Sequence, residues 1–238
     1  MGIQLLNKII NWALNPDGSV SVDDAGIIKA FTDDADFPHL VSFSRTGSHW
    51  LRMIMELYFE KPSLVRAFFF RGASDFTCFH AHDMELKLLR ENVIYLYRNP
   101  VETVYSQLCY YKENPEDQER RQYWSNLYAR HLAKWLVNDD FTLKKTVITY
   151  EGMKSDMHSE IQKICAHLGK KFDPVKLDFV LAQVSKEALK KKTKHDRQVV
   201  NLTVEYHTGR TEFANRYSEQ IFSEINSHEP KLQCWLWE

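Results

Sequence analysis

One short polar segment of the sequence carries the residue types that proteins use to bind phosphate. It lies between an apolar run and an amphipathic stretch, and it reads Ser44-Arg45-Thr46-Gly47-Ser48-His49. Gly47 lets the backbone approach a ligand closely, and Arg45 contributes a fixed positive charge with several donors. A segment that ends a strand and opens a helix also presents free N–H groups to an anion. From these residues alone, an anion-binding loop and an ordinary strand-to-helix turn both stay open, and no Walker A motif is present.

A second pair of residues has the spacing expected of an anion site. Arg98 follows a predicted strand, and Ser106 comes eight residues later in the next predicted helix. A guanidinium at a strand end and a hydroxyl two helical turns along can face one phosphate. The other interpretation is an arginine in a surface ion pair and a serine on a solvated helix face.

Alternating strands and helices must position these loops. The predicted strands cover residues 39–43, 75–82, 93–97 and 146–150. The predicted helices cover residues 49–59, 85–90, 117–138, a stretch opening near Val101, and two faces at 161–168 and 177–184. This alternation predicts an α/β fold with a central, mostly parallel sheet flanked by helices. Such sheets bind ligands at the carboxyl ends of their strands, where the polar loops fall.

Other segments have simpler interpretations. A short amphipathic helix is predicted before a turn at residues 15–18, and the basic run at 186–197 is predicted to be a solvated face or loop. Several aromatic residues of the predicted helices are expected in the core rather than at a substrate wall. These are Tyr110, Tyr111, Tyr123, Trp124 and Trp135.

Length and composition are those of an ordinary globular chain. The 238 residues are 44% hydrophobic and 26% charged, so we expect one domain over residues 1–238. The 31 Lys and Arg nearly balance the 32 Asp and Glu, for a net charge of −1, which argues against nucleic acid or a membrane as partner. No apolar stretch is long enough to span a membrane. Four dispersed cysteines and the lack of a signal-peptide pattern predict reduced thiols in a cytoplasmic protein.

Four blocks of the sequence, in the same order, resemble the sulfotransferases that use PAPS (3′-phosphoadenosine-5′-phosphosulfate). The first loop resembles the family's Y-P-K-S-G-T-T-W, and Arg98-Asn99-Pro100 with Ser106 resembles its R-N-P motif with a later Ser. Residues 150–156 resemble Y-E-D-M-K-x-D, with a later Leu-Gly at 168–169. The last block is His207-Thr208-Gly209-Arg210, followed by residues 217–220. The resemblance runs from about residue 40 to 225 and leaves residues 1–39 as an N-terminal extension.

The resemblance implies a P-loop-like sulfotransferase fold and a cofactor-binding role for each matched residue. The implied cofactor-binding residues are Arg45, Thr46, Gly47, Ser48, His49, Trp50, Arg98, Ser106, Tyr150, Gly209 and Arg210. The loop would bind the 5′-phosphosulfate, while Trp50 and Tyr150 would flank the adenine. The 3′-phosphate would lie against Arg98, Ser106, Gly209 and Arg210. Arg45 replaces the family's Lys, and its lasting charge would stabilise the leaving oxygen.

The family also uses a His at a strand end as the base that takes the acceptor's proton. His80 and His82 both qualify, and alternate positions on a strand share one face. We favour His82, which is nearer the carboxyl end of the predicted strand and beside Asp83. A metal pair is a third interpretation of this His-x-His, but no further ligand cluster accompanies it, and no metal is expected.

These features imply an enzyme that moves a sulfuryl group from PAPS to a hydroxyl, or secondarily an amine, of a small-molecule acceptor. The product is PAP, and the mechanism is in-line displacement, with His82, Arg45 and His80 as catalytic candidates. Two other functions stay open: a PAP- or nucleotide-binding module without turnover, and a nucleotide-dependent phosphotransferase, which the missing Walker Lys disfavours. The short chain favours a soluble acceptor, as in the tailoring of natural products. The sequence does not determine the oligomeric state.

Overall fold

The described part of the molecule forms two compact units. The computed structural model describes residues 24–65, 67–70, 75–185 and 204–236. The first unit is drawn from residues 1–39, 49–80 and 171–201, and the second from residues 40–48, 81–170 and 202–238. The expected single domain over residues 1–238 stays a prediction.

A parallel sheet of four strands, in the order β2-β1-β3-β4, organises the described residues. The strands are β1 (His39–Ser42), β2 (Phe79–Ala81), β3 (Asn92–Tyr97) and β4 (Lys144–Thr149). β3 and β4 run parallel, with Asn92 opposite Lys144 and Tyr97 opposite Thr149. All of β3 is buried, as expected of a β-branched and aromatic strand with both faces covered. The predicted α/β fold is confirmed.

Helices follow the strands, as the sequence predicts. The α-helices are α1 (Ala25–Thr32), α2 (Ser48–Phe59), α3 (Pro100–Tyr111), α4 (Gln118–Leu132), α5 (Tyr150–Ser155), α6 (Met157–His167), α7 (Pro174–Gln183), α8 (Val204–His228) and α9 (Gln233–Leu236). A π-helical segment, Ala133–Val137, continues α4, and a 3₁₀ turn, Pro230–Leu232, precedes α9.

Residue chemistry explains where several helices begin and end. The Asn99 side chain accepts hydrogen bonds from two N–H groups of α3, whose first residue is Pro100. Asp117 caps α4 in the same way. Gly169, just beyond α6, has a φ of +63°, a left-handed conformation that Gly adopts at low cost.

Each unit has its own apolar cluster. In the first unit, Phe37, Leu64 and Phe76 are buried together, with Ile28 and Phe31 packed against them. The second unit has a larger core, in which β1, β3, α3, α4 and α8 contribute side chains. Its largest buried members include Phe43, Tyr95, Tyr128, Trp124 and Trp135. This second core supports the strand ends where the candidate residues lie.

Two predicted elements differ from the structure around residue 83. The strand predicted at 75–82 is shorter, Phe79–Ala81, and the helix predicted at 85–90 is absent. Asp83 and Leu86 have φ values of +44° and +58°, which a right-handed helix does not allow. Lys134 donates to the Asp83 carboxylate and to the Leu88 carbonyl, both at 2.6 Å, so tertiary contacts hold this segment as a loop.

The expected burial of the aromatic residues is correct only in part. Trp124 and Trp135 are buried, but Tyr110, Tyr111 and Tyr123 are 45%, 54% and 49% exposed. The first two end α3 and the third lies early in α4, where the helices leave the core. The four cysteines are all free thiols, of which Cys78 and Cys165 are buried.

Some predictions concern residues outside the described ranges. The N-terminal helix, the turn at 15–18 and the basic run at 186–197 lie there. Over the ranges that are described, none of the helices combines the length and the apolar character that crossing a bilayer requires.

Candidate active site

The loop after β1 is shaped by its own backbone and by a tyrosine. Arg45 and Gly47 both have left-handed backbones, with φ values of +67° and +96°. The Thr46 hydroxyl donates to the Phe43 carbonyl at 2.7 Å, so it stabilises the turn. The Tyr150 ring lies directly over Gly47, where a Cβ atom would collide with it. Only Gly fits this position, since both its φ and its contact exclude a side chain.

Arg45 contacts both Arg98 and Ser106 at the carboxyl edge of the sheet. Arg45 Nε donates to Ser106 Oγ at 3.3 Å, and Arg98 Nη1 donates to the Arg45 carbonyl at 3.3 Å. Arg98 Nε is buried and has no hydrogen-bond partner among the described residues. Burial lowers the pKa of Arg45, with a further contribution from Arg98, yet a guanidinium stays charged at neutral pH. The two predicted anion loops therefore form one cationic cluster.

Glu102 occupies this cationic cluster as its internal counter-ion. Its carboxylate forms an ion pair with Arg98, and Arg210 Nη1 lies 3.5 Å away. Burial alone would raise the pKa of Glu102, but Arg98 outweighs it and the pKa lies below the usual range. Burial alone would lower the pKa of Arg98, but the ion pair with Glu102 outweighs this effect and raises it. Both groups are thus charged at neutral pH.

Tyr150 contacts Arg98 directly, and Gly209 acts on the same cluster through the packing of α8. The Tyr150 ring stacks under the Arg98 guanidinium, 4.3 Å from ring centre to Cζ. Gly209 lies in α8 against the Tyr105 hydroxyl of α3, which a Cβ atom would strike. Gly209 therefore allows close packing of α8 on α3, and that packing brings Arg210 to Glu102.

His82 lies immediately after β2 and is bonded to the end of β1. Its Nδ1 is 3.0 Å from the carbonyl oxygen of Ser42, the last residue of β1. The Ser42 hydroxyl oxygen lies farther from the same nitrogen, at 3.5 Å. A carbonyl oxygen only accepts, so the shorter contact favours the tautomer with the proton on Nδ1 and the lone pair on Nε2. That tautomer is suited to accept a proton at Nε2. The contact also links His82 to the strand that leads into the first loop.

Three of the remaining predicted residues, His49, Trp50 and His80, belong to the first unit. His49 and Trp50 lie in the first turn of α2 and are half-buried, and the His49 ring contacts Phe68 at 5.5 Å between centres. His80 is the middle residue of β2 and is half-buried. Ser48, in the second unit, is the first residue of α2 and is buried.

Three residues near the site were missed by sequence reasoning. Glu102 lies one helical turn after Arg98, an ion-pair spacing that could have been noticed. Gln107 donates through Nε2 to the Ser44 carbonyl at 3.1 Å and so holds the first loop. His131 donates to the His82 carbonyl. These two residues are far apart in sequence, so no local sequence pattern predicts this contact.

Taken together, the fold and this cluster define an α/β protein with a cluster of arginines at one edge of its sheet. Comparison with known sequences is specific: the family model described as "Sulfotransferase domain" matches residues 77–213. The chain therefore belongs to the sulfotransferase family, and the expected class of enzyme is confirmed.

Individual relatives agree with this assignment. The chain is similar to a guinea pig (Cavia porcellus) 3-alpha-hydroxysteroid sulfotransferase, at 25% identity over 209 residues, covering 72% of this chain and 70% of that protein. It is 32% identical to rat (Rattus norvegicus) sulfotransferase 2A1 over 126 residues, covering 47% of this chain and 43% of the relative.

Solved structures share the fold. Mouse sulfotransferase SULT7A1, complexed with PAP, superimposes with a TM-score of 0.55 at 21% identity, covering 88% of this chain and 90% of that one. Retinol dehydratase in a complex with retinol and PAP gives a TM-score of 0.57 at 12% identity, covering 93% of both chains. These identities are low, so the likeness concerns the fold.

Proposed function

We propose that this protein transfers a sulfuryl group from PAPS to a hydroxyl group of a small-molecule acceptor and releases PAP. One observation carries the proposal: Arg45, Arg98 and Ser106 converge where β1 and β3 end, and His82 is bonded to the last residue of β1. The two arginines and Ser106 support phosphate binding, and His82 supports proton removal, at the same edge of the sheet. The PAP complexes of the structural neighbours give independent support.

The described residues fit an anionic nucleotide on two counts. Arg98 has a buried Nε with no hydrogen-bond partner among the described residues. Arg45, whose carbonyl oxygen accepts from Arg98, adds a second guanidinium beside it. Arg98 and Ser106 would hold the 3′-phosphate, with Arg210 beside them, and the loop amides from Thr46 to Ser48 would bind the 5′-phosphosulfate. When bound, PAPS supplies the sulfuryl group, whose bond to the 5′-phosphate oxygen is the bond that breaks.

His82 is proposed as the general base. Its Nδ1–H is bonded to the Ser42 carbonyl, so Nε2 is the atom that would take the proton of the acceptor hydroxyl as its oxygen bonds to sulfur. Arg45 stabilises the negative charge that develops on the departing oxygen, since a guanidinium does not give up its proton. His80 stays the alternative base.

The test is a screen for sulfated products. The purified protein is incubated with PAPS and a panel of phenols, alcohols and amines, and products that gain one SO₃ group are detected by mass spectrometry. We expect the wild-type protein to sulfate at least one hydroxyl compound of the panel. His82→Asn should no longer form this product, whereas His80→Asn should still form it. Sulfation that persists undiminished in His82→Asn would reject His82 as the base.

One observation favours a second candidate, a PAP-binding module without turnover. Arg45 stands at the position of the family's Lys, and in this structure it is bonded to Ser106. Tight PAP binding without any sulfated product across the panel would support the module. The class of acceptor and a cytoplasmic location stay predictions.

A further inference from the structure

A buried histidine of α4 contacts the backbone of His82. His131 has no exposed surface, and its Nε2 lies 2.9 Å from the carbonyl oxygen of His82. The Tyr95 hydroxyl, from β3, lies 2.9 Å from the other ring nitrogen, Nδ1. Both ring nitrogens of His131 are therefore committed to partners on different elements.

The partners determine which nitrogen of His131 carries the proton. The His82 carbonyl can only accept, so Nε2 carries the hydrogen, and the Tyr95 hydroxyl then donates to Nδ1. Burial lowers the pKa of His131 to about 3, which keeps the ring neutral and this tautomer in place across the physiological range. The charged groups facing this region are Asp83 and Lys134.

The residue after His82 is fixed by the same stretch of helix. Asp83 has a left-handed backbone, and its buried carboxylate accepts from Lys134 Nζ at 2.6 Å and from Trp135 Nε1 at 3.1 Å. Lys134 and Trp135 belong to the π-helical segment Ala133–Val137. Irregular segments of this kind recur near functional sites. The turn at 82–83 is thus held from one side by α4 and its continuation.

We propose that His131 is a positioning residue: by holding the His82 carbonyl it fixes the turn in which the His82 ring donates Nδ1–H to Ser42 and keeps Nε2 as the basic nitrogen. The inference rests on the proposed function, in which His82 is the base. His131 itself touches neither substrate nor cofactor. The consequence is that the tautomer of His82 depends on a side chain of another element.

Nitrogen NMR of protein labelled with ¹⁵N-histidine measures the tautomer of the His82 ring. The spectrum of His82→Asn identifies the His82 signals by their loss. His131→Asn keeps an acceptor for Tyr95 but has no donor at the Nε2 position. His131→Gln places an amide N–H near that position. The expected result is loss of the predominant Nδ1–H form of His82 in His131→Asn and its retention in His131→Gln.

A second buried histidine provides the matched control. His167 is bonded to Thr146 at 2.9 Å and Asn92 at 2.6 Å, and none of these residues belongs to the turn. His167→Asn removes a comparable buried ring and is expected to leave the His82 signal unchanged. An unchanged His82 tautomer in His131→Asn, or an equal change in His167→Asn, would overturn the proposal.

Two further measurements keep the outcome decisive. If His131→Asn does not fold, His131→Leu replaces it, because Leu fills much of the same buried space and cannot donate to the His82 carbonyl. It is expected to shift the His82 signal in the same direction, and an unchanged signal would overturn the proposal. PAP titration separates the two claims, because absent PAP binding rejects the proposed function, whereas the NMR signal alone decides the role of His131. With an acceptor in hand, kcat should fall up to about a hundredfold in His131→Asn with KM for PAPS unchanged.

Discussion

At the scale of single residues, one carboxylate offsets part of the positive charge of the arginine cluster. The Arg98 guanidinium is paired with Glu102, which also faces Arg210 at 3.5 Å. A phosphate group would have to bind the same Arg98 guanidinium that the Glu102 carboxylate contacts. The charge of Glu102 must therefore oppose the binding of a second anion beside it.

Removing that charge is expected to tighten nucleotide binding. Glu102→Gln keeps the size of the side chain and abolishes its charge, so PAP should bind about fivefold more tightly, worth about 1 kcal/mol. Calorimetric titration measures this difference. Glu116→Gln, whose carboxylate pairs with the exposed Arg216, is the control for a change in net charge. Equal or weaker PAP binding by Glu102→Gln would show that the carboxylate does not compete.

Gly47 is predicted to be required for the shape of the loop. Gly47→Ala places a methyl group against the Tyr150 ring at a φ of +96°, which should lower the free energy of unfolding by about 1–3 kcal/mol and weaken PAP binding. Gly169→Ala is the matched control, because Gly169 also has a positive φ but its added methyl group would meet no described residue within 4 Å. It should cost about 1 kcal/mol and leave PAP binding unchanged. Equal PAP binding by both variants would contradict the account.

At the scale of elements, sequence patterns were reliable where local chemistry decides the structure. The strand at 93–97 was predicted because its residues are β-branched or aromatic. A helix was predicted to open near Val101, and α3 begins at Pro100, where Asn99 and Pro100 suit a helix N-terminus. The helix at 85–90 was wrong because Lys134, distant in sequence, holds Asp83 and Leu88 in a loop. Such tertiary contacts leave no local signal.

In the candidate site too, sequence motifs predicted some residues, while others depend on contacts between distant parts of the chain. Motif spacing brought out Arg45, Arg98 and Ser106, and the structure places them together. His131 could not be found in this way, since its partners on β3 and after β2 are far from it in sequence. Residues that hold another residue in place become visible only when the fold is known.

The contact between α8 and α3 yields a prediction for Gly209. Gly209→Ala should push α8 away from the Tyr105 hydroxyl and lower the melting temperature. Tyr105→Phe removes that hydroxyl, so the double variant should regain stability relative to Gly209→Ala alone. A thermal-denaturation cycle over the four proteins measures this coupling. Additive effects would show that Gly209 does not act through this contact.

At the scale of the whole molecule, two buried neutral histidines make stability depend on pH. Burial lowers the pKa of His131 to about 3 and that of His167 to about 4, against an ordinary value of 6.5. Below pH 6.5 the unfolded chain binds protons at these positions while the folded chain does not. Stability from these groups is therefore complete above pH 6.5 and falls as the pH drops towards 4.

The expected loss is large enough to measure. Between pH 7.5 and pH 5, each of the two histidines should lower the free energy of unfolding by about 2 kcal/mol. Urea denaturation at the two pH values measures this loss. In His167→Asn the free energy of unfolding should change between the two pH values by roughly half as much as in the wild-type protein. A wild-type free energy that is the same at both pH values would contradict the buried, neutral state of both rings.

The Arg98 cluster is expected to recognise a 3′-phosphate, which a calorimetric titration can test. PAP, ATP and AMP are titrated into the wild-type protein and into Arg98→Ala, with a thermal melt to show that the variant is folded and Ser106→Ala as a milder substitute. We expect micromolar or tighter binding of PAP, weaker binding of ATP and AMP, and a loss of PAP affinity on the order of a hundredfold in Arg98→Ala. Equal binding of ATP and PAP, or no binding of PAP, would contradict this expectation and favour a phosphotransferase instead.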